Sequence, residues 1–286
     1  DRSLDFLRQH PQDRPFFLWA SFVDPHHPFT PPAPYDTMYD PAEMPLPCWE
    51  EGEAETWPAA YRRKYTATEG SHEAIGMATI PDREWQTVRA YYYGSISLID
   101  KQVGRMLALL QERNMLENTV IAFTSDHGEM LGDHHLVFKG TTFDEVTNAP
   151  LILSGPGIAG DEKARTALAS SIDIMPTLLD LVDAPTPEAV QGRSLRAVVA
   201  GDTTLRDAVL IENAGVRRSV RTKEALLTWH GAGQHGELYD LTTDPHCHRN
   251  LWDLPAHAPL QEKMLGRLVQ LMAENVDPLP PRVGAC

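Results

Sequence analysis

Two nearly unbroken apolar runs of strand length dominate the hydrophobic pattern of the chain. One covers residues 16–23 and the other covers residues 120–123, and polar residues follow each of them. Runs of this kind are typical of strands that are buried on both faces of a parallel sheet. A further strand is predicted at 149–154, where glycine and proline end the pattern. We therefore predict an α/β fold with an open, covered sheet.

Apolar residues that recur every three or four positions predict the helices. The longest such stretch is 85–113, with Gly94 as a candidate for a bend and Asn114 as the expected end. Shorter stretches predict the end of a helix at 3–10 and a helix at 170–181 with proline in its first turn. Helices that alternate with strands are typical of a doubly wound sheet.

The pattern changes near residue 205, which we take as a domain boundary. Short strand-like pieces separated by turns follow at 208–211, 219–222, 225–229 and 237–241, and a helical period follows at 260–272. These pieces predict a small antiparallel sheet with a helix packed on it. We therefore divide the chain into an α/β domain at 1–205 and a small α+β subdomain at 206–286.

Residues 30–62 contain seven prolines among aromatic and acidic residues. We predict a long irregular insertion in the first domain, because proline excludes helix and weakens strands. Loops of that length are usually binding loops or lids, or are disordered.

Composition narrows the range of partners. Lysine and arginine number 25 against 40 aspartates and glutamates, which gives a net charge of −15. Nucleic acid or an anionic membrane needs a basic surface, so neither is expected as a partner. No apolar stretch approaches the roughly 18 residues of a membrane span. The sequence leaves the compartment and the oligomeric state open.

The three cysteines, Cys48, Cys247 and Cys286, lie far apart in the sequence. An odd number at wide spacing argues against a disulfide framework and against a structural zinc site. Cys48 has no basic neighbour that would lower its pKa, so we interpret it as an incidental thiol and not as a nucleophile.

A carboxylate and an imidazole follow the strand predicted at 120–123. Asp126 and His127 stand there, and Gly128 permits a sharp turn after them. Ligands of open α/β sheets bind just outside the carboxyl ends of strands, and this pair of side chains suits a hard divalent cation. The alternative is that Asp126 only caps the next helix.

Candidate groups for acid catalysis and anion binding occur after the run at 16–23 and in the segment that follows His127. His26 and His27 follow the run at 16–23 between two prolines. We interpret His27 as a surface residue and His26 as a group that can protonate a leaving oxygen at neutral pH. Lys139 can neutralise an anionic substrate, unless it is a solvated loop lysine. His134 and His135 are weaker candidates for lining the same site.

Taken together, the motifs resemble those of one family. They are Phe16-Phe17-Leu18, Pro25-His26-His27-Pro28-Phe29, Tyr92-Tyr93-Gly94-Ser95-Ile96 with Asp100 and Val103-Gly104-Arg105, Ser125-Asp126-His127-Gly128-Glu129-Met130-Leu131-Gly132-Asp133-His134 with Lys139, Ile172-Asp173 with Pro176-Thr177, Gly192-Arg193-Ser194-Leu195, and Glu237-Leu238-Tyr239-Asp240-Leu241 with Asp244-Pro245. The chain resembles the type I sulfatases of the alkaline phosphatase superfamily, which include related phosphonate monoester and phosphodiester hydrolases. The resemblance runs over nearly the whole chain. It implies part of an alkaline phosphatase-like doubly wound sheet, followed by the small antiparallel sheet and helix.

The resemblance also implies roles for individual residues. Asp126 and His127 correspond to metal ligands, the metal being Ca²⁺ in most sulfatases and Mg²⁺ or Mn²⁺ in some relatives. Lys139 corresponds to a lysine that contacts the sulfate, and His26 to a histidine near the leaving oxygen, which makes these two the expected catalytic residues. The implied activity is metal-dependent hydrolysis of a small-molecule or saccharide sulfate ester.

The chain departs from the family at the nucleophile. The motif Cys/Ser-x-Pro/Ala-x-Arg, whose first residue is oxidised to formylglycine, is absent, as are the aspartate pair of the first strand and the lysine and histidine after the nucleophile. Because the chain also starts at Asp1 without methionine, we expect it to be a C-terminal portion of a sulfatase that is inactive alone. The alternatives are a phosphonate monoester or phosphodiester hydrolase of the same superfamily and a non-catalytic metal-binding remnant.

Overall fold

The computed structural model describes residues 1–58, 61–62, 80–158, 165–202, 204–213, 217–231 and 235–276. Two compact units emerge from the contacts of the chain. The described residues of the first unit are 1–49, 80–121 and 130–138, and those of the second are 50–58, 61–62, 122–129 and the part from 139 onward. Among the described residues, no helix combines the length and the apolar character needed to cross a membrane. The domain boundary near residue 205 stays a prediction.

The described residues of the first unit form the α-helices α1 (Arg2–Gln9) and α2 (Asp82–Glu112), which confirms the helices expected at 3–10 and 85–113. The two helices pack on each other, and α1 buries Leu4 and Leu7. Asn114 ends the second helix as predicted, because it takes a left-handed conformation with φ of 54°.

Gly94 lies inside α2, which continues past it without interruption as one helix of 31 residues. A Cβ atom at this position would lie 2.2 Å from the carbonyl oxygen of Tyr35. The glycine is therefore required by the close approach of a loop, and its predicted role as a bend receives no support from the structure.

The apolar run at 16–23 forms no strand, so the prediction of a buried strand there is wrong. Phe17 and Trp19 are each 74% exposed, and Val23 is 83% exposed. No strand among the described residues pairs with this segment. An apolar run becomes a buried strand only where a neighbouring strand accepts its backbone hydrogen bonds and other elements cover its side chains.

The insertion at 30–62 is irregular, as predicted. Its described part contains short 3₁₀ turns at Tyr35–Thr37, Pro41–Glu43 and Glu53–Thr56. The first two turns pack along α2 in the first unit. The side-chain amide of Gln86 on α2 donates to the Met44 carbonyl at 2.8 Å, which ties this part of the loop to the helix.

The second unit opens with a two-stranded sheet of β1 (Ile121–Thr124) and β2 (Leu151–Ser154). Both predicted strands are confirmed, with bounds shifted by one or two residues. Their burial differs from the prediction, since Ile152 is 60% exposed and β2 alternates between half-buried and exposed residues. The helix α3 (Asp144–Thr147) lies between them in sequence.

The predicted helix at 170–181 is present as a 3₁₀ turn, Ser171–Asp173, followed by α4 (Ile174–Leu181). Helix α5 (Arg196–Val199) comes after it. Pro176 occupies the first turn of α4, where its missing N–H is no loss.

A buried carboxylate joins the segments around α4. Asp173 has no solvent exposure, and it accepts hydrogen bonds from the backbone N–H groups of Ser170 and Arg193, each at 2.8 Å. The Arg206 guanidinium donates to both carboxylate oxygens, one of them at 2.7 Å. A buried charge of this kind is tolerated because every lone pair has a partner.

The packing of the same region depends on the hydroxyl of Thr177 and on the absence of a side chain at Gly192. The Thr177 hydroxyl donates to the Asp173 carbonyl at 2.5 Å and accepts from the Leu195 N–H at 2.9 Å. A Cβ at Gly192 would lie 1.9 Å from the Ile172 carbonyl oxygen. These motif residues therefore hold the segments of the second unit together.

The small antiparallel sheet and its helix are confirmed. The strands are β3 (Val209–Asn213), β4 (Arg217–Arg221), β5 (Ala225–Trp229) and β6 (Gly236–Asp240), paired in sequence order, and the helix is α6 (Ala258–Glu274). One face of the sheet, with Val220, Leu227 and Leu238, packs on Met264 and Leu268 of α6. Each fully buried side chain of this size stabilises the fold by roughly 1.5–3 kcal/mol relative to exposure.

The opposite face of this sheet carries most of its polar side chains, together with Val209, Ile211 and Leu226. Because side chains alternate along a strand, the same face carries Asn213, Arg217, Ser219, Arg221, Thr228, Glu237 and Tyr239. Ser219, Thr228, Glu237 and Tyr239 have no solvent exposure. This polar face is buried against the rest of the second unit.

Candidate functional site

The turn after β1 presents Asp126 and His127 to the second unit. The Ser125 hydroxyl donates to the His127 carbonyl at 2.7 Å, and the Gly128 N–H donates to the Val146 carbonyl at 2.8 Å. A Cβ at Gly128 would lie 2.0 Å from the carbonyl oxygen of Glu145. Glycine is therefore required here by the contact with α3, and this contact fixes the direction in which the turn leaves the strand.

Asp126 does not cap a helix. Its carboxylate accepts the His127 N–H at 3.0 Å, and its side chain is 86% exposed. The next helical turn among the described residues is Asp133–His135, which begins after Gly132. The capping interpretation of Asp126 is therefore wrong, since Gly132 precedes that turn.

The ring of His127 has a defined tautomer. Its Nδ1 atom lies 2.8 Å from the Gly128 carbonyl oxygen. A carbonyl only accepts, so Nδ1 carries the proton and Nε2 keeps its lone pair in the neutral ring. A backbone carbonyl that orients a histidine in this way is the usual partner of a metal-ligating imidazole.

The spacing of the Asp126 carboxylate and the His127 imidazole is compatible with two ligands of one cation. Asp126 Oδ2 and His127 Nε2 are 3.5 Å apart, which exceeds the usual length of an N–H···O hydrogen bond. Two ligands at right angles on bonds of 2.3–2.6 Å would be roughly 3.3–3.7 Å apart. The donor set of one carboxylate and one imidazole therefore fits a shared divalent cation.

Lys139 lies in the same cleft as Asp126 and His127. The cleft has a volume of about 1510 Å³ and is lined by β1, β2, β3 and the segment from Lys139 to α3. Two further cationic side chains, Arg165 and Arg221, also line it. The structure thus brings three of the four predicted site residues together within the second unit.

The two arginines of the cleft are held in place by oxygen acceptors. Arg165 donates to the carbonyls of Val198 and Val199 at 3.0 and 3.2 Å. Arg221 pairs with the carboxylate of Asp144 at 3.0 and 3.3 Å. The cleft lining also includes the carboxylates of Asp126, Asp144 and Glu212, so its three cationic side chains are balanced by three acidic ones.

His26 belongs to the first unit, where it is exposed. Its Nδ1 lies 2.9 Å from the carbonyl oxygen of His27, so Nδ1 carries the proton and Nε2 is the atom that exchanges protons. The His27 ring is exposed, as predicted, and packs 4.3 Å from the ring of Phe138. The catalytic role of His26 stays a prediction.

The loop between His127 and Lys139 contains a structural ion pair that the sequence did not reveal. Arg89 of α2 donates to Asp133 at 2.6 Å and to the Leu131 carbonyl at 3.0 Å, all within the first unit. His134 and His135 are buried in this unit, and the His134 N–H donates to the Cys48 carbonyl at 2.8 Å. The only signal in the sequence was an arginine within the helical pattern of 85–113.

Comparison with known families and relatives identifies the family of the chain. The sulfatase family model matches residues 1–184, and a model described as the C-terminal part of N-sulphoglucosamine sulphohydrolase matches residues 132–274. An arylsulfatase of Clostridium perfringens is 33% identical over 255 residues, which cover 86% of this chain and 51% of that protein. A multifunctional alkaline phosphatase superfamily protein of Trinickia caryophylli, PehA, is 34% identical over 289 residues, which cover 91% of this chain and 56% of that protein.

The fold is shared with a solved structure. The phosphonate monoester hydrolase of Silicibacter pomeroyi superposes with a TM-score of 0.84 and 30% identity, covering 96% of this chain and 60% of that one. The chain therefore spans about half of the length of the curated relatives that it matches. On the family model and on these relatives, the chain belongs to the sulfatase family of the alkaline phosphatase superfamily.

Proposed function

We propose that the protein carrying this chain is a metal-dependent sulfuric ester hydrolase that acts on small-molecule or saccharide sulfate esters. The observation that supports this most directly is the convergence of Asp126, His127 and Lys139 on one cleft of the second unit. Membership of the sulfatase family supplies the reaction class.

Asp126 Oδ2 and His127 Nε2 would hold the divalent cation. Ca²⁺ is the proposed metal, and Mg²⁺ and Mn²⁺ are the alternatives, since all three accept carboxylate oxygen. A bound cation would supply positive charge beside the sulfate oxygens. The orientation of the His127 ring by the Gly128 carbonyl prepares Nε2 for this role in advance.

Lys139 and His26 act on the substrate in this proposal. The Lys139 ammonium offsets the negative charge of the sulfate group within the cleft. The imidazolium form of His26 gives its Nε2 proton to the alcohol oxygen as the sulfur–oxygen bond breaks. The formylglycine nucleophile belongs to the motif that is absent from this chain, so we expect the isolated chain to be inactive.

The ligand assignment is tested with the protein expressed from its complete gene. Asp126→Ala removes one of two adjacent ligands, so we expect loss of metal-dependent aryl sulfate hydrolysis and weaker binding of Ca²⁺ by calorimetry. Glu117→Ala, which removes an exposed carboxylate of the first unit, is the control. Wild-type turnover and Ca²⁺ affinity in Asp126→Ala would contradict the assignment.

A second candidate activity is hydrolysis of phosphonate monoesters or phosphodiesters. It is favoured by the superposition on the phosphonate monoester hydrolase. The measurement that separates the two is paired turnover of an aryl sulfate and an aryl phosphonate monoester by the same preparation. A higher kcat/KM for the sulfate ester supports the first proposal, and the reverse supports the second.

The third alternative is a non-catalytic metal-binding remnant. It predicts that Ca²⁺ binds to the wild-type protein and that neither ester is hydrolysed. The gene sequence upstream of this chain also tests this alternative. A Cys-x-Pro-x-Arg motif there would supply the nucleophile and would count against a non-catalytic remnant.

The role of His26 is tested with esters of graded leaving groups. Replacing His26 with glutamine should lower the rate most for the alcohols with the highest pKa, because these need a proton in order to leave. Equal losses for all leaving groups would reject the acid role.

A further inference from the structure

The segment that follows Lys139 lies against the polar face of the C-terminal sheet. Arg217 and Arg221 of β4 contact residues 140 and 144, while Thr142 between them contacts Thr228 of β5, which in turn lies beside Ser219 of β4. A strand presents every second side chain to the same face, so one face of the sheet holds the whole segment. All of these residues belong to the second unit.

The contacts nearest Lys139 are made to backbone carbonyls. The Arg217 guanidinium donates to the carbonyl of Gly140, and the Asn213 amide donates to the carbonyl of Thr141 at 3.3 Å. Asn213 and Arg217 are directly paired in the register of β3 and β4. Two neighbouring side chains of the sheet thus hold two consecutive peptide groups just after the lysine.

The next contact is a chain of buried hydroxyls. Thr142 Oγ1 lies 2.7 Å from Thr228 Oγ1, which in turn lies 2.9 Å from Ser219 Oγ. All three residues are fully buried, so loss of any one bond would leave a polar group without water. The Arg221–Asp144 ion pair completes the series at the start of α3.

The Arg217 guanidinium also contacts the side chain of Tyr61. Its Cζ lies 5.8 Å from the centre of the Tyr61 ring, and its Nη1 donates to the Tyr61 hydroxyl at 3.4 Å. Tyr61 is almost completely buried, and burial raises the pKa of its hydroxyl, so it stays neutral. A cation over an aromatic face in a buried site is held firmly.

The flexibility of Gly140 links this contact to the lysine. Gly140 has a φ of 103°, which is in the left-handed region, and glycine has more backbone freedom than any other residue. The Arg217 contact to its carbonyl therefore fixes a peptide group that would otherwise be free to turn, one residue from Lys139.

We propose that Arg217 is a positioning residue of the anion site, which orients Lys139 by holding the Gly140 carbonyl. The small C-terminal sheet is then part of the site's machinery, and sulfate affinity depends on it. This inference rests on the proposed function, in which Lys139 binds the sulfate group.

The test compares two arginines of the same strand. Arg217→Gln removes the positioning contact, while Arg218→Gln removes an arginine that pairs with the exposed Glu212 at 2.7 Å. The measurements are the KM for an aryl sulfate and the inhibition constant of inorganic sulfate, with the protein expressed from its complete gene. We expect Arg217→Gln to raise both by about tenfold with a smaller change in kcat, and Arg218→Gln to leave both within about twofold.

A double-mutant cycle shows whether Arg217 acts through the lysine. In a Lys139→Ala background, adding Arg217→Gln should change sulfate inhibition by less than about twofold, because the group that Arg217 positions is gone. A merely structural role predicts the same loss in both backgrounds, and that result would overturn the inference. Arg217→Lys, which keeps the charge with fewer donors, replaces the glutamine variant in the same cycle if that variant fails to fold.

A readout without turnover uses the lysine itself. Inorganic sulfate should protect the Lys139 amine from acylation in wild type and Arg218→Gln, and should protect it less in Arg217→Gln, as followed by peptide mass spectrometry. Equal protection in all three would reject the inference. If Lys139→Ala leaves sulfate affinity unchanged, the proposed anion role of the lysine fails. If only Arg217→Gln is without effect, the positioning role alone fails.

Discussion

At the scale of single residues, the turn after β1 depends on an atom that Gly128 lacks. The carbonyl of Glu145 occupies the space of a Cβ, so the chain passes α3 more closely than any other residue would allow. This close contact with α3 fixes the course of the turn and so the orientation of Asp126 and His127. The sequence shows the glycine but not the neighbour that requires it.

Replacing Gly128 with alanine should therefore destabilise the second unit. A Cβ at 2.0 Å from a backbone carbonyl forces the backbone to move, at a cost of about 1–3 kcal/mol. Gly266→Ala is the matched control, since nothing lies within 4 Å of its Cβ and a helix interior favours alanine by about 0.5–1 kcal/mol. Urea denaturation should show opposite signs for the two variants, and equal shifts would contradict the steric explanation.

At the scale of elements, the second unit depends on the carboxylate of Asp173. It connects the start of α4 with the loop at Arg193 and with Arg206 before β3. These partners are distant in sequence, which is why the pattern showed only a short helix here.

Asp173→Asn should lower the free energy of unfolding by about 3–5 kcal/mol, because it leaves the buried Arg206 without its counter-charge. Asp183→Asn is the control, since this exposed carboxylate lies 3.5 Å from Arg196 on the surface and should change stability by less than about 0.5 kcal/mol. Thermal unfolding measures both. A small effect of Asp173→Asn would show that the surrounding backbone satisfies the site without the charge.

The ion pair between Arg267 of α6 and Asp207, which lies just before β3, should make the stability of the fold depend on pH. Hydrogen bonds from Arg267 at 2.7 and 3.1 Å hold the pKa of the Asp207 carboxyl below its usual range. A lowered pKa in the folded state adds stability above the unfolded pKa, and this contribution disappears as the pH falls through the folded pKa.

Asp207→Asn should therefore cost less than about 1 kcal/mol at pH 7, since the Asp207 side chain is 72% exposed, and the difference from wild type should shrink below about pH 4. Glu262→Gln, an exposed carboxylate on α6, is the control. Unfolding curves at several pH values measure the effect. A difference that grows on acidification would reject this assignment.

The elements also show what a single sequence predicts. The small sheet and α6 were predictable, because alternation of period two and a helical period are local signals. The run at 16–23 has the composition of a buried strand, but burial depends on partners that no local pattern reveals. Asp126 and His127 were proposed as site residues because they follow a strand, and Lys139 because it comes on the next segment; their roles stay predictions. Arg217 was not, because its role depends on a contact with Gly140 across the fold.

At the scale of the whole molecule, charge is distributed unevenly. The chain has 40 acidic and 25 basic residues, whereas the cleft of the second unit is lined by equal numbers of both signs, Lys139, Arg165 and Arg221 against Asp126, Asp144 and Glu212. The cleft is therefore less negative than the chain as a whole. In the proposed function, a bound divalent cation would add the positive charge that favours an anionic ester there.

The segment 16–23 has a consequence for handling the chain in solution. It holds eight residues without charge or proline, and Trp19 within it is 74% exposed. Exposed stretches of this composition nucleate intermolecular β-pairing. We expect the chain to scatter light increasingly with concentration, and Trp19→Lys to suppress the scattering by adding a charge that opposes stacking.

Val276→Lys is the control, because Val276 is 65% exposed but lies far along the chain from that run. Equal suppression by both variants would contradict the role of the segment. Aggregation at high concentration would thus depend on one short aromatic stretch, and a single charge introduced there would keep concentrated samples clear.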